Sequence, residues 1–145
     1  METFSIKEHF DKIIEKTRTI DKFVDDYVEV LNNKTDSYNF YIRRGRRFIK
    51  ITQIVVGRDG KNTDQLSVHS FVDKNTGLVF KAAGWNAPAK GARYDLLDEA
   101  SRKRCFANAD PYGSYLYRYR QQPRKGLFAR YKHKQAKLQA PLRRF

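Results

Sequence analysis

The chain has 145 residues, and its 30 Lys and Arg against 16 Asp and Glu give a formal charge of +14. That length suits one domain with a real core, and 40% hydrophobic with 14% aromatic residues is too apolar for a wholly disordered chain. No run of roughly 18 apolar residues is present to span a membrane, and a single cysteine, Cys105, excludes an intramolecular disulfide scaffold. The start, Met1-Glu2-Thr3-Phe4-Ser5, lacks a basic segment followed by an apolar run, so no secretory signal is expected. His9, His69 and His133 lie in separate regions, so neither a metal site nor a cofactor is expected.

The first segment predicts a helix over 5–32. Ser5 and Glu8 have capping-box spacing. Ile6, Phe10, Ile13, Ile14, Ile20, Val24, Tyr27, Val28 and Leu31 then recur at spacings of three and four, which makes one apolar stripe. Thr17-Arg18-Thr19 could split it in two, because β-branched residues cluster there. The outer face is mostly acidic: Asp11, Glu15, Asp21, Asp25, Asp26 and Glu29. Such a face repels phosphate and suits a brace or a protein-docking element.

Residues 38–83 predict a four-stranded antiparallel sheet. Tyr38–Arg43 and Arg46–Val56 flank Arg44-Gly45, read as a tight turn. That register pairs Tyr41 with Phe48 and Phe40 with Ile49. It puts Phe40, Ile42, Ile49, Ile51 and Val55 on one face, with Arg47 as the exception. The other face holds Tyr41, Arg43, Arg46, Phe48, Lys50 and Thr52. After a polar loop over 57–64, Leu66–Asp73 and Leu78–Ala83 form a second hairpin around Lys74-Asn75-Thr76-Gly77. A short helix over 88–105 follows, with Pro88 in its first turn. The fold class is therefore α+β, with a single domain over 1–106 and a basic, Tyr-rich extension over 107–145. Tyr115, Tyr117 and Tyr119 alternate with Leu116, Arg118 and Arg120, as an edge strand would.

The charge is uneven. Residues 1–36 carry 6 basic and 9 acidic groups, residues 37–100 carry 11 and 6, and residues 101–145 carry 13 and 1. A fold gains nothing from such self-repulsion, so a polyanion is the expected partner. Two regions combine cations with rings, as binders of single strands do. One is the first hairpin, with Tyr41, Arg43, Arg44, Arg46, Arg47, Phe48 and Lys50. The other is the C-terminal third, with Tyr115, Tyr117, Arg118, Tyr119, Arg120, Arg124, Lys125, Arg130, Lys132 and Lys134. Lys90 and Arg93 flank Gly91 near the expected helix start, where backbone N–H groups favour an anion. Enzymatic signals are weak. Cys105 lacks a local nucleophile signature, and Asp59, Asp64, Asp73, Asp95 and Asp98 match no metal spacing.

Residues 67–93 carry a strand, an Asp-x-x-Thr-Gly turn at Asp73–Gly77, a second strand ending Lys81-Ala82-Ala83, and Trp-x-x-Pro-Ala-Lys-x-x-Arg from Trp85 to Arg93. This stretch resembles a group of small viral proteins, seen mainly in phages and in environmental sequences of viral type. Leu78 and Asn86 depart from the group, which is often acidic at the first position and basic at the second. The resemblance implies a phage or viral setting and supplies no catalytic residue. The sequence thus predicts a non-enzymatic viral nucleic-acid-binding protein, acting largely without regard to sequence, in the host cytoplasm or the virion. One alternative is a minor virion protein whose tail contacts other subunits or packaged genome and whose acidic helix docks other virion proteins. A second is a small nuclease. Neither DNA nor RNA is favoured, and no membrane is expected.

Overall fold

The computed structural model describes residues 6–117. Helix α1 (Ile6–Asn33) leads into strands β1 (Tyr38–Arg44), β2 (Phe48–Val56), β3 (Asn62–Asp73) and β4 (Leu78–Gly84). Two-residue strands β5 (Ala87–Pro88) and β6 (Tyr94–Asp95), helix α2 (Glu99–Asn108) and a 3-10 turn over Ser114–Leu116 complete it.

The class is α+β as expected, with an antiparallel meander β1-β2-β3-β4 at its centre. Two further strands both pair with the free edge of β4: Ala82 faces Pro88, and Val79 faces Tyr94. The helix expected over 88–105 therefore starts later. Pro88, which has no N–H to donate, sits at a sheet edge rather than in a first helical turn. Ala89 and Arg93 donate their backbone N–H to Lys81 and Val79, both at 2.7 Å. Helix α2 begins only where Asp98 caps it, accepting from the Ser101 N–H at 3.0 Å.

Helix α1 is continuous. Thr19 relieves its hydroxyl on the Glu15 carbonyl at 2.9 Å, so the Thr-Arg-Thr stretch does not split the helix. Ile20, Val24, Tyr27, Val28 and Leu31 bury one face against Phe40, Ile49, Ile51, Val72 and Val79 of the sheet. At ~1.5 Å per residue the helix is about 42 Å long, and its first half runs past this core. Ile6, Phe10, Ile13 and Ile14 remain 47–69% exposed. Helix α2 lies on the same side of the sheet, with Phe106 stacked on Tyr27 at 5.9 Å. The folded body continues beyond 106, because Ala109, Tyr115 and Leu116 are part of the core. Lys34 ties this segment down, donating to the carbonyls of Phe106, Ala107 and Ala109 at 2.7–3.2 Å.

The first hairpin keeps its expected faces and changes its register. Arg43 pairs with Lys50 and Arg44 with Ile49, four residues from the expected alignment. A shift by an even number preserves the alternation, so Phe40, Ile49 and Ile51 still point into the core. The tip is Arg46-Arg47 rather than Arg44-Gly45, closed by the Gly45 N–H on the Phe48 carbonyl at 2.9 Å. A Cβ at position 45 would lie 2.9 Å from that same oxygen, so glycine is required there for close approach. In the second hairpin, Asp73 Oδ1 accepts from the N–H of Asn75 at 2.8 Å and of Thr76 at 3.3 Å. Gly77 closes the turn at φ +78. This is the physical content of the Asp-x-x-Thr-Gly pattern.

A bulge in β3 sets the interior. Ile51 pairs with Ser70 and Thr52 with Val68, which leaves His69 as the extra residue. His69 is buried with its ring edge-on to Phe40 at 5.3 Å. Its Nε2 lies 3.0 Å from the Asp110 carbonyl, which can only accept, so Nε2 carries the proton. Nδ1 then accepts from Ser70 Oγ at 3.1 Å, Ser70 accepts from Tyr27 Oη at 3.3 Å, and Tyr27 accepts from the Tyr115 hydroxyl. The chain satisfies four buried polar groups at the centre of the core.

Candidate nucleic-acid interface

The helices occupy one side of the sheet. Among the described residues no helix covers the other side. One cross-strand row runs over that outer face: Arg43 faces Lys50, Lys50 faces Phe71, and Phe71 faces Phe80. Phe48, one step along, meets Phe71 and Phe80 edge-on at 6.0 and 5.8 Å. These rings form a small second apolar cluster beneath the cations. The turn between β4 and β5 folds back over the row. Trp85 sits with Lys50 Nζ 4.1 Å and Arg43 Cζ 5.7 Å from its ring centroid, and Asn86 Oδ1 accepts from Lys50 Nζ at 2.8 Å. Arg43, Arg46, Arg47, Phe48, Lys50 and Asn86 line a cleft of about 340 Å³.

The cations there divide into two sets. Arg44 points to the helix side and pairs with Asp21 at 2.7 Å. Arg47 lies 3.7 Å from Asp73, with its guanidinium 5.0 Å from the centroid of Phe48. Among the described residues no carboxylate pairs with Arg43, Arg46 or Lys50. Desolvation first, then the neighbouring Arg43, lowers the Lys50 ammonium below the usual lysine range. Three positive groups held together without an acid attract an anion, and the adjacent rings attract flat, apolar faces.

The structure places the remaining candidates as follows. Tyr41 lies on the outer face beside this row, 44% exposed, with its hydroxyl accepting from Asn62 Nδ2 at 3.0 Å. Phe48 is half-buried in the aromatic cluster. Lys90 is exposed in the loop after β5. No helix starts beside it, so the anion site expected there lacks its donors. Arg93 is spent on the fold: Nε donates to the Leu116 carbonyl at 2.7 Å, and Nη1 donates to the carbonyls of Lys90 at 2.8 Å and of Gly91. Tyr115 is a core residue in a 3-10 turn, not a stacking ring on an edge strand. Tyr117 is 38% exposed beneath Lys81 Nζ, 4.7 Å from its centroid. Arg118, Tyr119, Arg120, Arg124, Lys125, Arg130, Lys132 and Lys134 lie outside the described residues.

Trp85, Asn86 and Phe71 are the additions that sequence reasoning did not place at this face. The signal for Trp85 and Asn86 was a lone tryptophan in a connector of small residues, whereas Phe71 stands in a strand apolar on both faces. Of the groups considered for catalysis, Cys105, Asp59, Asp73, Asp95 and Asp98 serve the fold. Burial pushes the Cys105 thiol up to about 12, so it stays protonated. Asp59, Asp95 and Asp98 each accept a nearby backbone N–H, at 3.0, 2.9 and 3.0 Å, as Asp73 does.

Fold and face together define an α+β domain with its helices on one side of an antiparallel sheet and a basic, aromatic surface on the other. Residues 3–118 match a family of unknown function, DUF7717, and the chain belongs to that family. The match spans both helices and the whole sheet and leaves residues 119–145 outside it. No curated protein and no solved structure matches the chain.

Proposed function

We propose that the protein binds nucleic acid without turning it over, largely independent of sequence, in a phage or viral setting. The observation that carries this reading is the uncompensated cluster of Arg43, Arg46 and Lys50 beside Phe48, Phe71 and Trp85 on the outer sheet face. Residues 118–145 add 10 basic and no acidic groups. Phosphates neutralise both regions, and the exposed indole of Trp85 supplies a contact that any base can make. The setting rests on the resemblance of residues 67–93, which implies the host cytoplasm or the virion. A labelled-strand binding assay tests the reading. Binding that weakens steeply between low and moderate salt supports it, and no binding at low salt overturns it.

A second reading, a minor structural protein of the virion, is favoured by one observation. The first half of α1 carries Ile6, Phe10, Ile13 and Ile14 on its surface, beyond the core that buries the rest of the stripe. Stoichiometric recovery of the protein in purified particles, with no binding to nucleic acid in solution, selects this reading over the first.

A further inference from the structure

A nucleotide carries its base and its phosphate at opposite ends of one sugar. A site for one nucleotide therefore needs a ring and a cation a few ångströms apart. Among the described residues, Trp85 brings that pairing to the outer face without an acid beside the cations, whereas Arg47 over Phe48 also faces Asp73. Trp85 is 42% exposed, and the two cations nearest its ring, Lys50 and Arg43, have no carboxylate partner among the described residues. The adjoining cleft of about 340 Å³ is at the small end of ligand sites, which begin at about 300 Å³. Phe48 and Phe71 give it an apolar floor, and Asn86 fixes the Lys50 ammonium at its rim.

We infer that one unpaired nucleotide of a single strand binds here, with its base against the exposed indole of Trp85, which borders the cleft without lining it, and its flanking phosphates in the cleft on Arg43, Arg46 and Lys50. The inference rests on the proposed function and narrows it to single strands. A duplex keeps its base faces inside the stack, so it can meet the cations but not the indole. The alternative for the same surface is the Arg46-Arg47 tip entering a duplex groove as a β-ribbon.

The chain has one tryptophan, so its emission reports this site alone. The test uses full-length protein with a twelve-residue oligothymidine and with a blunt duplex of the same length, at one salt concentration. The oligothymidine quenches Trp85 emission and binds at least tenfold tighter than the duplex. By anisotropy of a labelled strand, Trp85→Ala weakens oligothymidine binding by roughly 5- to 150-fold, the range for one lost base stack. Trp85→Phe retains most of the affinity, which separates stacking from loss of the fold. Equal affinity for strand and duplex, or a Trp85→Ala protein that binds oligothymidine as the parent does, overturns the inference and leaves nucleic-acid binding standing. Absence of binding to either probe overturns the proposed function itself.

Discussion

Replacing Arg43, Arg46 and Lys50 together by Gln separates the two sets of cations in the hairpin. These three have no acidic partner among the described residues, whereas Arg44 and Arg47 are paired with Asp21 and Asp73. Each phosphate contact on a single strand contributes about 0.7 to the slope of log affinity against log salt. At about 0.15 M salt one contact is then worth roughly fourfold, and three are worth about 50-fold. The triple variant should bind a labelled single strand about 50-fold more weakly, with a slope shallower by about 2. Arg44→Gln with Arg47→Gln should cost less than their number suggests, because each must first leave a carboxylate. The fold should survive the triple change. Arg43 and Lys50 stand opposite each other and repel, so the melting temperature stays level or rises. Anisotropy titrations at several salt concentrations measure both quantities. A triple variant with an unchanged slope would show that these three cations meet no phosphate, and a paired-arginine variant that loses as much affinity would show that the carboxylates do not matter.

Four further outcomes follow from particular residues. Truncation after Pro123 removes eight basic side chains, from Arg124 to Arg144, and should keep the melting temperature while reducing the salt slope by up to about 5; unchanged binding rules out a role for the tail. Phe48→Ala should destabilise the fold by about 3 kcal/mol in urea, because its ring packs on Phe71 and Phe80, whereas Tyr41→Ala should leave stability within about 1 kcal/mol. Tyr27→Phe should cost about 1–3 kcal/mol, since Ser70 and Tyr115 both lose a buried partner; a neutral change would mean the chain of hydroxyls contributes nothing. Desolvation holds His69 below the usual histidine range, against the opposing influence of Asp110. The unfolded chain therefore takes up the proton first, and stability is full above about pH 6.5 and declines as pH falls through that value. Urea midpoints measured from pH 7 to 5 should show this decline, and His69→Gln should flatten it.

The parts of the fold that repeat were readable from the chain. The stripe from Ile20 to Leu31 has helical spacing, and the alternation of Phe40, Ile42, Ile49 and Ile51 marks an inner face. Register was not readable, because alternation survives a shift of four residues unchanged, and the close approach of Gly45 to the Phe48 carbonyl decides it. Strands β5 and β6 are two residues each and carry no periodic signal. Tyr115 and Tyr117 alternate like a strand, yet Gly113 at φ +74 turns the chain and sends Tyr115 to Tyr27. Of the outer face, the cations and rings of the first hairpin were visible as composition. The contribution of Trp85 and Asn86 depends on the β4–β5 turn folding back onto Lys50, a contact between segments 35 residues apart that local patterns do not encode.

The central claim is that the outer sheet face, and not the helical side, meets nucleic acid. Amide and indole N–H spectra of isotopically labelled protein, recorded with and without a short single strand, test it most directly. The single indole resonance of Trp85 and the amides of residues 43–50 and 85–86 should shift, while those of residues 20–31 in α1 stay in place. Shifts confined to α1, with the Trp85 indole unmoved at saturating strand, would contradict it.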